Sequence, residues 1–267
     1  MTGLGGYFAT NAHGGAAGSS EQTAGPLLGV THRIDSQASV FLGIGYDWGG
    51  VGSAGATADV GAVLGTIGGR YAFGSLEQGP FVSVRADLGG LDYQGKRPLS
   101  GGLGTANGNA SGMVYGAQAV LGDVIRLAGV TVTPQAGVRL AHVTLGGFQE
   151  SGSEVALDVH RLSHTASSLL TGVEIAIDPW QWGSWVVTPT ATLGAELALG
   201  NPRVASTGTL YGFTVNQYAA YDSRYLLEGG LGVSAQHGAF SVKAGLNAMH
   251  GDSSTGVNGQ LSVAYRF

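Results

Sequence analysis

The chain has 267 residues, 49 of them glycine, with 43% hydrophobic residues but only 11% Asp, Glu, Lys and Arg. The apolar share excludes disorder, the 7 prolines and aperiodic glycines exclude collagen, and the lack of 18 consecutive apolar residues excludes helical membrane spans. A formal charge of −5 with no basic run beyond Lys96-Arg97 excludes nucleic acid as a partner, and the absence of cysteine excludes disulfides, thiol nucleophiles and thiolate metal sites. What remains is one glycine-rich all-β domain over 1–267. Its first residues, Met1-Thr2-Gly3-Leu4-Gly5-Gly6-Tyr7, carry neither the basic flank nor the apolar core of a secretory signal, so the chain reads as a domain cut from something longer.

Alternation with a period of two dominates from end to end. Val40, Leu42, Ile44, Tyr46 and Trp48 face away from Ser39, Gly43, Gly45 and Asp47. The pattern recurs in Trp185, Val187, Ala191, Leu193, Ala195 and Leu197, in Tyr225 to Val233, in Phe240 to Ala248, and in Leu261, Val263, Tyr265 and Phe267. Followed in order, it predicts twelve strands at 3–13, 25–34, 38–49, 57–74, 80–93, 110–127, 130–144, 162–178, 184–199, 223–237, 239–249 and 257–267. Connections after even-numbered strands are short, whereas those after odd-numbered strands, such as 14–24, 94–109, 145–161 and 200–222, are mostly long and rich in Gly, Ser, Asn and Ala. An even strand count with short turns at one end and long loops at the other predicts a transmembrane antiparallel β-barrel with periplasmic turns and extracellular loops.

Charge placement separates this from a soluble sandwich, in which alternation would also bury one face. Arg33, Asp47, Arg70, Arg85, Asp87, Arg139, Glu174, Glu196, Arg224, Glu228, Lys243 and Arg266 share one parity, opposite the apolar face. A lipid-facing band must exclude charge in this way, and these residues are expected to line a hydrated lumen. Two aromatic belts are expected: Phe73, Trp180, Trp182, Trp185, Tyr265 and Phe267 at the short-turn end, and Tyr46, Trp48 and Tyr93 at the other. Thirteen glycines also take the inward parity, among them Gly43, Gly68, Gly89, Gly116 and Gly122. They are read either as clearance for a helix of about 10–12 Å diameter or as relief of crowding in a curved sheet.

Chemistry has few footholds. His160 and His164 are spaced i, i+4, but at a loop-to-strand transition without the adjoining Glu of a zinc helix, so they read as surface histidines. No Gly-x-Ser-x-Gly elbow is present. No catalytic residue, metal site or cofactor is predicted.

The segment from Gly147-Phe148-Gln149-Glu150-Ser151-Gly152 to Val159, followed by Ser167-Ser168-Leu169-Leu170-Thr171-Gly172-Val173, resembles the aromatic-x-Glu-x-Gly loop and following strand of monomeric autotransporter translocator domains, the type V secretion proteins. The terminal Val263-Ala264-Tyr265-Arg266-Phe267, the Leu42 to Tyr46 strand, and Thr133-Pro134-Gln135-Ala136 and Thr188-Pro189-Thr190-Ala191 are also similar. The resemblance implies a monomeric pore-forming anchor in the outer membrane of a Gram-negative bacterium, exporting an N-terminal passenger, with a linker helix left in the lumen. It also implies periplasmic chaperones and the barrel-assembly machinery as partners, the latter reading a C-terminal signal at Leu261, Val263, Tyr265 and Phe267. The passenger and linker are expected upstream of residue 1. A stand-alone outer-membrane pore or a lipid-modifying barrel enzyme is the competing reading.

Overall fold

In the computed structural model, which describes residues 1–13, 15–221 and 223–266, twelve antiparallel strands close on themselves. The strands are β1 (Thr2–Thr10), β2 (Ser19–Arg33), β3 (Ala38–Ser53), β4 (Ala56–Ala72), β5 (Gly79–Pro98) and β6 (Thr105–Leu127). Then come β7 (Val130–Leu145), β8 (Leu162–Ile177), β9 (Trp185–Leu199), β10 (Tyr225–His237), β11 (Phe240–Gly251) and β12 (Ser254–Tyr265). Each pairs with its neighbours in sequence, and β1 pairs with β12 from Thr2↔Ser262 to Thr10↔Ser254. Closure leaves the barrel no edge, so the backbone groups of the strands pair along continuous ladders, interrupted at Gly25-Pro26 in β2 and Asp123-Val124 in β6.

The short connections lie at one end. Ala128-Gly129 joins β6 to β7, with Gly129 at φ +86°, the left-handed conformation that glycine adopts without penalty. Between β2 and β3, Asp35 Oδ1 accepts hydrogen bonds from the amides of Gln37 and Ala38 at 2.7 and 2.8 Å, closing the turn through its side chain.

At the other end the strands run further than the sequence predicts. Residues 19–24, 50–53, 94–98 and 105–109, read as loop from their Gly, Ser, Asn and Thr content, belong to β2, β3, β5 and β6. β5 and β6 reach 20 and 23 residues, about twice the 9–11 that a tilted strand needs to cross a bilayer. A solvated hairpin has a loop's composition, and only the partner strand reveals that it is paired. The β3–β4 connection shrinks to Ala54-Gly55, at φ +48° and +84°, in place of a longer loop. Residues 200–222 are not plain loop either. Arg203–Leu210 and Phe213–Tyr221 form a hairpin, and with Phe148–Gln149 and Asp158–Val159 it makes a second, four-stranded sheet outside the membrane.

The burial pattern is inverted relative to a water-soluble protein. The buried hydrophobics are few and mostly small, namely Ala16, Ala72, Phe81, Ala106 and Val187, while Leu231 is 73% and Leu246 71% exposed. Leu28, Leu42, Ile44, Ile67, Leu121, Leu193 and Leu261 share this outward face and are also exposed. The charged residues on it, Asp59, Asp92, Lys96 and Asp123, stand toward strand ends. Outward Phe73, Trp180 and Trp182 mark one interface and Tyr46 and Trp48 the other, all exposed. Tyr93 does not join the second belt. The register puts it on the inward face, where its ring lies 5.8 Å from that of Phe148.

Candidate functional site

The inward faces enclose a cavity of about 1060 Å³. It runs from Met1, Thr2 and Ala264 at the short-turn end to Thr10, Asn201 and Ser254 at the other. Strand pairing fixes which side chains share the face. Thr66, Asp87 and Gly116 lie in one row across β4, β5 and β6, and Gln118, Arg139 and Ser168 in another across β6, β7 and β8. On the same face stand Asp47 on β3, Arg70 on β4, Arg85 on β5, Glu174 on β8, Glu196 on β9, Glu228 on β10 and Lys243 on β11. Arg224 and Arg266 lie just beyond strand ends. The Arg224 amide donates to Asp252 Oδ1 at 2.9 Å and the Arg266 amide to the Ala239 carbonyl at 2.9 Å.

The structure brings four of these charges together. Arg139 Nη2 donates to both carboxylate oxygens of Glu196 at 2.5 Å, reaching past β8 above buried Ser168. Arg85 Nε donates to Asp87 Oδ2 at 3.1 Å along one strand. Among the described residues, Asp47, Glu174, Glu228 and Lys243 join no ion pair within 4.0 Å. Arg70 lies with its guanidinium carbon 3.7 Å from the centroid of Phe81. At the turn rim, Glu77 lies 3.7 Å from both Arg33 and Arg126, all well exposed, so these pairs contribute little.

Sequence parity missed that the inward wall is not uniformly polar. Phe8, Phe41, Leu64 and Phe81 also point inward, each lying over a glycine of a neighbouring strand. A Cβ on Gly68 would overlap the Phe41 ring, one on Gly122 the Phe81 ring, one on Gly89 Leu64, and one on Gly256 Phe8. At Gly68, Gly89 and Gly122 of the thirteen, and at Gly256 beside them, the glycines accommodate the wall's own side chains, as the crowding-relief reading expects. The signal was available in the sequence, because each aromatic has the same parity as the glycine beside it.

His160 and His164 are not a pair. His164 sits on the inward face of β8 opposite Val143, while His160 Nδ1 lies 3.5 Å from Thr207 Oγ1 in the outer sheet. Thus only His160 matches the surface expectation. The described residues contain no group of three or more His, Asp or Glu able to hold a metal.

Leu261, Val263 and Tyr265 point outward from β12, and Tyr265 stacks edge-on against Phe240 at 4.9 Å. Phe267 lies outside the described residues. The β1–β12 seam is reinforced by the Met1 amino group donating to the Val263 carbonyl at 2.8 Å and by Thr2 Oγ1 donating to Ser262 Oγ at 3.0 Å.

Comparison with known proteins follows the same geometry. The family model described as Autotransporter beta-domain matches residues 1–248. The translocator domain of autotransporter NalP from Neisseria meningitidis superposes with a TM-score of 0.80 at 17% identity, covering 100% of this chain and 86% of that one. The beta domain of the Bordetella autotransporter BrkA gives 0.64 at 18% identity, covering 100% and 99%. The transport unit of AIDA-I from Escherichia coli gives 0.64 at 14%, covering 100% and 89%. No curated protein sequence matches the chain.

Proposed function

The chain belongs to the autotransporter beta-domain family, and we propose that its lumen is the route by which a linked passenger leaves the cell. It is a barrel of the Gram-negative outer membrane and serves as the translocator for passenger export. The observation that carries the route is the cavity, which reaches from the Met1 end to the Asn201 end between inward Arg, Glu, Gln, Ser and Thr side chains. Mixed charges are costly in a dry interior and tolerable in a wet one. Asp47, Arg70, Arg85, Asp87, Arg139, Glu174, Glu196, Glu228 and Lys243 therefore line a hydrated conduit, with Arg224 and Arg266 at its rims, past which a polypeptide slides without being gripped by any one side chain.

The direction of β1 supports the same reading. It begins at the short-turn end, beside Val263, so a segment preceding it meets the lumen from the periplasmic side. A linker helix is the occupant that such a lumen suits, and the single barrel domain, residues 1–267, acts as a monomeric anchor without catalysis. Recognition by the barrel-assembly machinery, after delivery by periplasmic chaperones, falls to the outward-facing Leu261, Val263 and Tyr265 together with Phe267.

The test is export. The chain is placed behind a secretory signal, a reporter segment and a helix-forming spacer, and intact cells are treated with protease. Surface cleavage of the reporter is expected. A reporter that stays protected while the barrel is correctly inserted overturns the route.

A further inference from the structure

Arg70, on the inward face of β4 near its turn end, joins no ion pair within 4.0 Å among the described residues. Its Nε and Nη2 are buried and meet no hydrogen-bond partner among the described residues, and the same holds for Oγ1 of Thr66 on the same face. Buried polar groups in folded proteins are paired with few exceptions, so each orphan requires an account. Nε and Nη2 form one edge of the guanidinium. Arg97 shows what that edge holds, because it donates from the same two atoms to the two carboxylate oxygens of Glu150. A planar pair of parallel donors fits a carboxylate or another oxyanion.

The neighbouring strands surround that edge with a cover and a second cation. Gly68 lies between Thr66 and Arg70 on the inward face of β4, with Phe41 of β3 opposite it on one side and Arg85 of β5 on the other. The Phe41 ring lies over Gly68, in the space a Cβ would take. One face of the Arg70 guanidinium is stacked, its carbon 3.7 Å from the centroid of buried Phe81. Phe41, Thr66 and Arg85 line the cavity, whereas Arg70 is not among its lining residues, so a solute in the lumen meets the Phe41 ring before the donor edge. Two carboxylates are near, and neither is the acceptor. Asp87, opposite Thr66, is engaged by Arg85 Nε at 3.1 Å. Glu174 of β8 attracts Arg70 across the lumen but stays beyond ion-pair distance.

We propose that Arg70, Thr66 and the floor of Gly68 form an oxyanion site on the lumen wall, covered by the Phe41 ring, and that its ligand is a carboxylate on a polypeptide segment lodged in the lumen. The choice of ligand rests on the lumen being a conduit; the site itself does not. While covered, the wall presents an apolar ring to a chain sliding past. A lodged segment with an acidic side chain at this level displaces the ring by rotation about its Cα–Cβ bond. Its two oxygens then accept from Arg70 Nε and Nη2, the Thr66 hydroxyl donates to one of them, and Arg85 adds a second positive charge. Arg70 stands two residues from the turn end of β4, so the acidic residue belongs to the stretch just upstream of Met1.

The test uses the 267-residue chain folded in detergent and a short labelled Ala-Ser peptide, blocked at both ends and carrying one Glu, beside the same peptide with Gln. Binding is read by fluorescence anisotropy, with sulfate as a free competing oxyanion. The Glu peptide is expected to bind several-fold more tightly than the Gln peptide and to be displaced by sulfate. Arg70→Gln should abolish the preference, Arg70→Lys should keep only part of it because the charge remains without the paired donors, and Phe41→Ala should raise the affinity for the Glu peptide several-fold. A preference that survives Arg70→Gln overturns the site, and an unchanged affinity in Phe41→Ala overturns the cover. Equal binding of the two peptides overturns the polypeptide carboxylate as ligand. A reporter that stays protected in the export assay while the Glu preference stands overturns the conduit and leaves the site in place.

Discussion

Phe41 lying over Gly68 shows how the inner wall is specified one residue at a time. Filling that notch with a methyl group forces the ring off its position, and overpacking of this kind costs about 1–3 kcal/mol. Gly68→Ala should lower the stability of the detergent-folded barrel in urea by that amount, and Phe41→Leu in the same chain should recover most of it. Glu196 poses the converse problem, because Glu196→Ala leaves Arg139 without its partner on a wall it shares with buried Ser168. A loss of about 1–2 kcal/mol is expected, below that of a fully dry pair because lumen water can solvate the arginine. Parent-like unfolding of the variant would mean that the pair contributes nothing. At the turn between β2 and β3, the Gln37 and Ala38 amides, followed by Arg33, hold the Asp35 carboxyl below its usual range. The native turn therefore favours the charged form, so its contribution is present above the unfolded carboxylate value of about 3.9 and is lost as pH falls through the lower native value. The stability gap between parent and Asp35→Ala should close on acidification through that range, and a gap that persists at the lowest pH would refute the assignment. Parity in the sequence determines which residues share the face, since Asp47, Arg85 and Glu196 alternate strictly with apolar neighbours. It does not show that Arg139 reaches across β8 to Glu196, because that contact depends on barrel curvature and side-chain length.

At the level of strands and loops, the membrane-crossing segments are legible and the extramembrane ones are not. A strand between lipid and water must alternate, and β3 and β9 announce themselves that way. Beyond the aromatic belt both faces are wet, alternation is no longer required, and β5, β6 and the Arg203–Tyr221 hairpin take the composition of loops. The same reasoning explains the misplaced Tyr93, whose neighbours on β5 beyond the membrane no longer mark the lipid side. The closing strand carries a separate prediction. β12 holds the seam with β1 and presents Leu261, Val263 and Tyr265 outward. Deleting Phe267 should reduce outer-membrane assembly in cells several-fold while leaving folding in detergent close to normal. Full assembly of the truncated chain would remove the final strand from the sorting role.

On the scale of the whole molecule, closure of twelve strands converts a chain with almost no conventional core into a closed wall around a lumen of mixed polar and apolar lining. The low charge content and the glycine excess have the same origin. A lipid-facing exterior needs no ions, and an inward wall carrying Phe8, Phe41, Leu64 and Phe81 needs glycines beside them. The absence of cysteine offers a direct probe of the channel. A single thiol introduced as Gln118→Cys, in the inward row with Arg139, should be accessible to a bulky water-soluble thiol reagent in a conducting barrel, whereas Leu121→Cys, on the lipid face, should not. The account predicts a stepwise fall in single-channel conductance on modification of Gln118→Cys and none for Leu121→Cys; unmodified current through Gln118→Cys, or block through Leu121→Cys, would contradict it.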